Sequence, residues 1–227
     1  LEPMSGIQRM LADIQAEVAL TRRMIGRDRL DPRVMDAMRR VPREQFVPVH
    51  LRPAAFSNGP LPIGRGQTIS QPYIVALMTD LAAPQPNSVV LEVGTGCGYQ
   101  AAVLSLLAER VYSIEIVPEL AEAAAQRLQR LGYTNVEVRA GDAWNGWPEQ
   151  APFDAIVVTA AAIQVPPPLL AQLAPGGRLV IPLGPPYGYQ ELCLLEKNSA
   201  GAVTHRQVLG VAFVPLTGGH SASSELD

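Results

Sequence analysis

Cysteine is nearly absent from this chain. Cys97 and Cys193 are the only two in 227 residues, and they form no C-x-x-C pair. A domain of this size does not depend on one disulfide, so a reducing, cytoplasmic setting is expected. Histidine is as scarce: His50, His205 and His220 are scattered without ligand spacing, and no metal is assigned. There is no excess of positive charge either. A formal net charge of −3 and a pI of about 5.7 exclude a general attraction to phosphate backbones or anionic lipid, so neither nucleic acid nor a membrane is an expected partner. No apolar run approaches the ~20 residues that span a bilayer. Glu2, Arg9, Asp13 and Glu17 interrupt any signal-peptide core in the first twenty residues. Internal repeats are missing as well.

What is present is apolar content, 48% of the chain, ample for one α/β domain with a short extension. Ile7, Met10, Leu11, Ile14 and Val18 recur at helical spacing and predict an amphipathic helix from Ser5 to Met24. Asp31-Pro32 supplies a cap and a first-turn proline for a second helix, which Pro42 closes. From Val47 to Gly66 four prolines and three glycines leave no regular element, and a long loop in a compact domain is usually functional or mobile. Strands are predicted at Val89 to Val93, Arg110 to Glu115, Asn135 to Arg139, Phe153 to Ala162 and Arg178 to Leu183. Helices follow at Ala101 to Ala108, Glu119 to Leu131 and Pro166 to Leu173, and Pro175-Gly176-Gly177 is read as a turn. Two last strands, Glu191 to Glu196 and Ala202 to Pro215, are joined at Asn198 to Gly201 as a hairpin at the sheet edge.

The chain is organised around Val89-Val90-Leu91-Glu92-Val93-Gly94-Thr95-Gly96-Cys97-Gly98, a buried strand that ends in three alternate glycines and opens a helix. Glycine there permits positive φ and lets a ligand lie against the backbone beside the free N–H groups of the helix start. The spacing is not the G-x-G-x-x-G of dinucleotide-binding proteins, and a shorter cradle suits a ligand without a pyrophosphate. S-adenosylmethionine is the leading candidate; a tight turn with no ligand is the alternative. Glu115, 21 residues after Gly94, ends the second strand where an acid can accept from ribose hydroxyls. Asp142 follows the third strand, where an acid can meet an adenine amino group. The three features at successive strand ends resemble the class I S-adenosylmethionine-dependent methyltransferases. Cys97 is read as a small apolar filler, and Asp154 as a packing residue at the start of its strand.

The segment Gly66-Gln67-Thr68-Ile69-Ser70-Gln71-Pro72-Tyr73-Ile74-Val75-Ala76-Leu77 adds to this. By itself it reads as a helix with Pro72 in its first turn and Ser70 as N-cap. It also closely resembles the protein-L-isoaspartate O-methyltransferases, which carry a Thr-Ile-Ser-x-Pro segment before the glycine turn. The resemblance spans roughly Asp31 to Thr217 and implies a Rossmann-like, doubly wound α/β fold. Its mostly parallel seven-stranded sheet would have an antiparallel C-terminal edge and an N-terminal helical extension. It implies one domain over 1–217, with helices and loop in 1–66, a catalytic core in 67–217 and a flexible tail in 218–227. The implied activity is methyl esterification of L-isoaspartyl α-carboxylates in damaged proteins or peptides, leading to repair. S-adenosyl-L-methionine is then the cofactor, S-adenosyl-L-homocysteine its product, and the protein a monomer.

Residue by residue, the family's active-site serine falls on Ser70. Cofactor contacts fall on Thr68, Ser70, Gly94, Thr95, Gly96, Gly98, Glu115, Asp142, Ala143 and Thr217, and peptide contacts on Ile69, Ser70, Ala161 and Ala162. Two positions depart from the pattern. Ala143 stands where glycine is usual, which leaves less room beside the adenine, and Ala212 stands where many members have arginine before Phe213-Val214-Pro215-Leu216. A methyltransferase for a small molecule or RNA would keep the cofactor features without needing Thr68-Ile69-Ser70. A non-catalytic nucleotide-binding module is the reading furthest from these.

Overall fold

The computed structural model describes residues 2–218; of the tail expected over 218–227, all but Gly218 lies outside them. Helix α1 (Gly6–Ile25) starts at a capping box, with Gln8 N donating to Ser5 Oγ and Ser5 N to Gln8 Oε1, and ends at left-handed Gly26. Helix α2 (Pro32–Arg40) takes Asp31 as N-cap, and Val34, Ala37 and Met38 are buried beneath it. Both helices dock on α3 (Pro72–Ala82). Buried Asp80 of α3 pairs with Arg27 and accepts from Asp31 N at 2.8 Å, and Arg33 reaches the carbonyls of Pro84 and Leu107, each at 3.1 Å. The extension is thus tied to the sheet-covering layer by charge-assisted bonds as well as apolar contact.

The stretch read as irregular from Val47 to Gly66 holds more order than the proline and glycine content suggested. A short 3₁₀ turn covers Val49–Ala54, and a hairpin pairs β1 (Leu61–Gly64) with β2 (Gln67–Ile69). The residues that hid the hairpin make its turn: Gly64, Arg65 and Gly66 all have positive φ.

The main sheet contains β3 (Val89–Val93), β4 (Arg110–Glu115), β5 (Val136–Ala140), β6 (Phe153–Val158), β7 (Leu173–Leu183), β8 (Gln190–Lys197) and β9 (Val203–Val211), in the spatial order 5-4-3-6-7-8-9. Strands β3 to β7 run parallel, and β8 and β9 add antiparallel at the edge. This is the doubly wound sheet expected from the sequence. Along β3 the pleat sends Val90 into one apolar cluster, under α1 to α3, and Leu91 and Val93 into another with Trp147, Phe153 and Leu169. Burial on both faces explains why the strands read as continuous apolar runs. Helices α4 (Tyr99–Ser105), α5 (Pro118–Arg130) and α6 (Pro167–Gln172) complete the crossovers. Asp154 accepts from Val89 N at 2.8 Å, the packing role expected of it.

Several element boundaries differ from expectation: the last strand ends at Val211 and not at Pro215, and α4 runs Tyr99–Ser105 in place of Ala101 to Ala108. The Pro175 to Gly177 turn lies inside β7, where Leu173 already pairs with Phe153 and a register shift absorbs the kink. The fourth strand stops at Val158; Ala161 and Ala162 form single bridges to Pro215 and Leu183.

Helix α3 ends with Ala83 in the left-handed region, φ 48° and ψ 51°, its N–H shared between the carbonyls of Thr79 and Asp80. A Cβ is disfavoured there by ~1 kcal/mol relative to glycine. Ala83→Gly is therefore expected to raise stability by up to ~1 kcal/mol despite the greater freedom of the unfolded chain. An unchanged or lower denaturation midpoint would contradict this.

The chain direction across the sheet reverses between β3 and β6. Loops at the carboxyl ends of these two strands diverge, which opens a crevice at the switch point.

Candidate active site

That crevice, partly open to solvent, lies where small-molecule ligands sit in open α/β sheets. Its floor is the glycine turn. Gly94, Gly96 and Gly98 all have positive φ, 97°, 55° and 93°. At the first, glycine is required twice over, by the positive φ and because a Cβ would come within 2.5 Å of Thr159 Oγ1; its N–H continues the ladder to Ile114 O at 2.8 Å. Thr159, at the end of β6, donates that hydroxyl to Gly94 O at 2.6 Å and so clamps the turn from the opposite side of the switch point. A Cβ on Gly98 would press on Leu128 of α5 at 3.2 Å.

Glu115 ends β4 nearly buried, 4% exposed. Its Oε1 accepts from Gly96 N at 2.8 Å and its Oε2 from Val117 N at 3.0 Å. The carboxylate thereby sets the middle of the glycine turn and retains lone pairs toward the crevice. Thr95 closes a buried relay: its hydroxyl meets Ser113 Oγ at 2.6 Å, and Ser113 donates to Glu92 Oε1 at 2.5 Å.

Glu92 did not figure among the candidate residues, although an acid inside an apolar strand was a signal in plain view. It is fully buried, lines the crevice, and its Oε2 has no partner among the described residues. Burial, with a smaller push from Glu115, raises its pKa to about 8 against the opposing bond from Ser113. The described lining residues include these two carboxylates and no lysine, arginine or histidine. The described lining therefore carries no fixed positive charge to oppose a cationic ligand. Cys97 lines it as well, buried, with its thiol pKa raised by burial, which suits a filler better than a nucleophile.

The other expected residues divide. Ala143, Thr68, Ile69, Ser70 and Thr217 line the crevice with Thr95, Gly94 and Gly96; Gly98 does not, and its N–H instead closes the turn onto Thr95 O at 2.9 Å. Asp142 does not line it; its Oδ1 accepts from Trp144 N at 3.0 Å and caps the turn Ala143–Asn145, with Gly218 packed alongside. Ala161 and Ala162 also stand outside the lining. The N–H of Ala161 donates to Val214 O at 2.8 Å and its carbonyl accepts from Leu216 N at 2.7 Å; Ala162 is bonded likewise to Pro182 and Gly184. Their backbone groups hold the 214–216 segment and β7 in place.

Ser70 is not the N-cap of α3. Pro72 begins the helix, Gln71 takes the cap position, and no side chain caps it. The partly exposed Ser70 instead borders two spaces, the crevice and a second groove bounded by Ile74, Tyr189, Ala212 and Phe213. Thr68 shares that border. The crevice and the second groove thus meet at Ser70 and Thr68.

The model for a family described as protein-L-isoaspartate(D-aspartate) O-methyltransferase matches residues 18–221. Protein-L-isoaspartate O-methyltransferase 2 of Syntrophobacter fumaroxidans is 60% identical over 212 residues, 93% of this chain and 86% of that one. A protein of the same name from a Polaromonas species is 60% identical over 209 residues, 92% of this chain and 99% of its own. Among solved structures, a protein-L-isoaspartate O-methyltransferase superposes with a TM-score of 0.79 at 26% identity, covering 93% of this chain and 66% of the other. A beta-aspartate methyltransferase from Plasmodium falciparum, solved with S-adenosyl-L-homocysteine, superposes with a TM-score of 0.72 at 25% identity over 90% of this chain and 97% of its own.

Proposed function

This chain belongs to the protein-L-isoaspartate(D-aspartate) O-methyltransferase family, and from that premise we propose how its residues divide the work. The enzyme transfers a methyl group from S-adenosyl-L-methionine to the α-carboxylate of L-isoaspartyl residues in damaged proteins, the first step of their repair. When bound, the cofactor supplies an electrophilic methyl on a positively charged sulfur. The crevice residues fit such a group: they offer a glycine cradle, two buried acidic side chains, one of them with an unpartnered oxygen, and no competing cation among the described lining residues.

Gly94, Thr95, Gly96 and Gly98 bring the backbone close to the cofactor, and Glu115 accepts from its ribose while holding Gly96. Ala143 and Thr217 would add contacts to it from the crevice lining. For Asp142 the proposed adenine contact requires the carboxylate to serve the base while it caps its own turn, and carboxylate lone pairs suffice for both. A carboxylate acceptor with a reference pKa near ~4 is already ionised at neutral pH, so the chemistry requires no histidine base, and none is among the described lining residues. The rate then comes from holding one carboxylate oxygen in line with the methyl and replacing its water by fixed donors. Ser70 and Thr68 are such donors.

The observation that carries this division is the position of Ser70 between the crevice built on the glycine turn and the open groove. Ile69 packs behind it, 3% exposed. Ala161 and Ala162 contribute to peptide binding through the 214–216 segment that they anchor. We further propose one domain from residue 1 to 217 and a cytoplasmic monomer; the two free, buried cysteines and the net charge of −3 support that setting.

The test is methyl transfer from labelled S-adenosylmethionine to two peptides that differ only in an L-isoaspartyl or a normal aspartyl residue. Base-labile label is expected on the isoaspartyl peptide alone. Ser70→Ala is expected to lose at least roughly tenfold in kcat, about 1.4 kcal/mol of transition-state stabilisation. Full turnover in that variant would remove Ser70 from the chemistry.

A further inference from the structure

Arg43 is a fully buried cation that the division of labour above leaves without a task. It sits in a short 3₁₀ turn, Arg43–Phe46, between α2 and the 47–66 segment. Among the described residues its charge meets no carboxylate. Nε donates to Ala55 O at 2.6 Å, Nη2 donates to Ser70 O at 2.9 Å, and the guanidinium lies over the Tyr99 ring, 4.8 Å from its centroid. These three contacts belong to three segments: the end of the Val49–Ala54 turn, the serine at the border of the two spaces, and the first residue of the helix that the glycine turn opens.

Burying a guanidinium costs several kcal/mol unless its donors are used. Two neutral carbonyls and a ring face are weaker compensation than an ion pair, so stability alone is a poor reason for this placement. Its geometric effect is specific. A donor fixed on the Ser70 carbonyl fixes the plane of the Ser70–Gln71 peptide, and with it the backbone torsion that aims the Ser70 hydroxyl. Because the same group lies over the Tyr99 ring, that aim is referred directly to the cofactor turn.

We propose that Arg43 is a positioning residue for methyl transfer: it locks the Ser70 peptide against the start of the cofactor-turn helix, so that the acceptor carboxylate and the methyl donor are held in register. The inference rests on the assignment of Ser70 to the acceptor site. Lysine cannot replace the arginine. It is a compact point donor that cannot reach two carbonyls in one plane and stack as well. Loss of register of even ~1 Å suffices for large losses of rate.

The experiment is a double-mutant cycle of Arg43→Lys and Ser70→Ala, read as kcat on the isoaspartyl peptide, with S-adenosylhomocysteine affinity measured by calorimetry on each protein. Arg43→Lys is expected to lower kcat by at least about tenfold while affinity for S-adenosylhomocysteine stays within about threefold. In the Ser70→Ala background the lysine substitution is expected to cost almost nothing further, since the group it positions is gone. Equal losses in both backgrounds, or a wild-type kcat in Arg43→Lys, would overturn the proposal. Should Ser70→Ala itself turn over fully, it is the Ser70 assignment that fails.

A second measurement leaves the buried cation intact. An α-hydroxy acid in place of Gln71 converts the Ser70–Gln71 amide to an ester and weakens the carbonyl that Arg43 holds. A several-fold loss of kcat at unchanged S-adenosylhomocysteine affinity supports the positioning role even if Arg43→Lys folds poorly. An undiminished kcat refutes it.

Discussion

Replacing Glu115 by alanine is expected to weaken S-adenosylhomocysteine binding by at least ~100-fold, about 2.7 kcal/mol. The side chain is nearly buried, and its two oxygens serve the N–H groups of Gly96 and Val117. Removing it strands two donors, each at a cost of ~1–3 kcal/mol where water does not replace the acceptor. Gly96 then loses the bond that fixes the middle of the cofactor turn, so the cradle loosens in the free protein and must be ordered again on binding. The proposed contact to ribose hydroxyls goes with it. The isosteric substitution Glu115→Gln keeps one acceptor oxygen but sets an amide NH₂ against the second backbone donor, and an intermediate loss is expected. Calorimetric titration with S-adenosylhomocysteine checks both variants. Affinity within threefold of wild type in Glu115→Ala would mean that the turn is self-supporting and the ribose is held elsewhere.

How much of this was legible in the sequence follows from how local each cause is. The glycine turn, the acid ending β4 and the apolar strands could be read directly, because turn chemistry and strand periodicity act over a few residues. The edge hairpin of β8 and β9 was equally plain from Asn198 to Gly201. Ser70 was harder. Its residue type and place before Pro72 are those of a cap, and only the fold, by starting the helix after Gln71, leaves it at the border of two clefts. The β1–β2 hairpin was masked because Gly64 and Gly66, read as breakers, form its turn. The partners of Ala161 and Ala162 lie at Val214, Leu216, Pro182 and Gly184; no local pattern announces such pairings. Arg43 has the same character: its contacts, at residues 55, 70 and 99, are 12 to 56 positions away.

Glu92 leads to the other large effect, one on stability as a function of pH. Its carboxyl is buried at the crevice floor, and desolvation raises its pKa to about 8, from about 4.5 when exposed. The folded protein therefore holds a proton at Glu92 that the unfolded chain releases. The sign follows from linkage. Stability from this group is full below about 4.5, falls as pH rises, and is lost once pH passes about 8, the reverse of an ion-paired carboxylate. The full swing is on the order of a few kcal/mol. Glu92→Gln keeps the shape and the acceptor oxygen for Ser113 but cannot ionise. Relative to wild type, the glutamine variant is expected to gain stability steadily between about pH 5.5 and 8.5, and to be clearly the more stable at the upper end. Denaturant unfolding of the two proteins at matched pH values isolates the effect, because every other titrating group is common to both. Parallel stability curves would show that Glu92 ionises in the folded protein as readily as in water, so that the crevice floor is wetter than its burial implies. Divergent curves would mean that the crevice floor keeps its acid neutral at neutral pH.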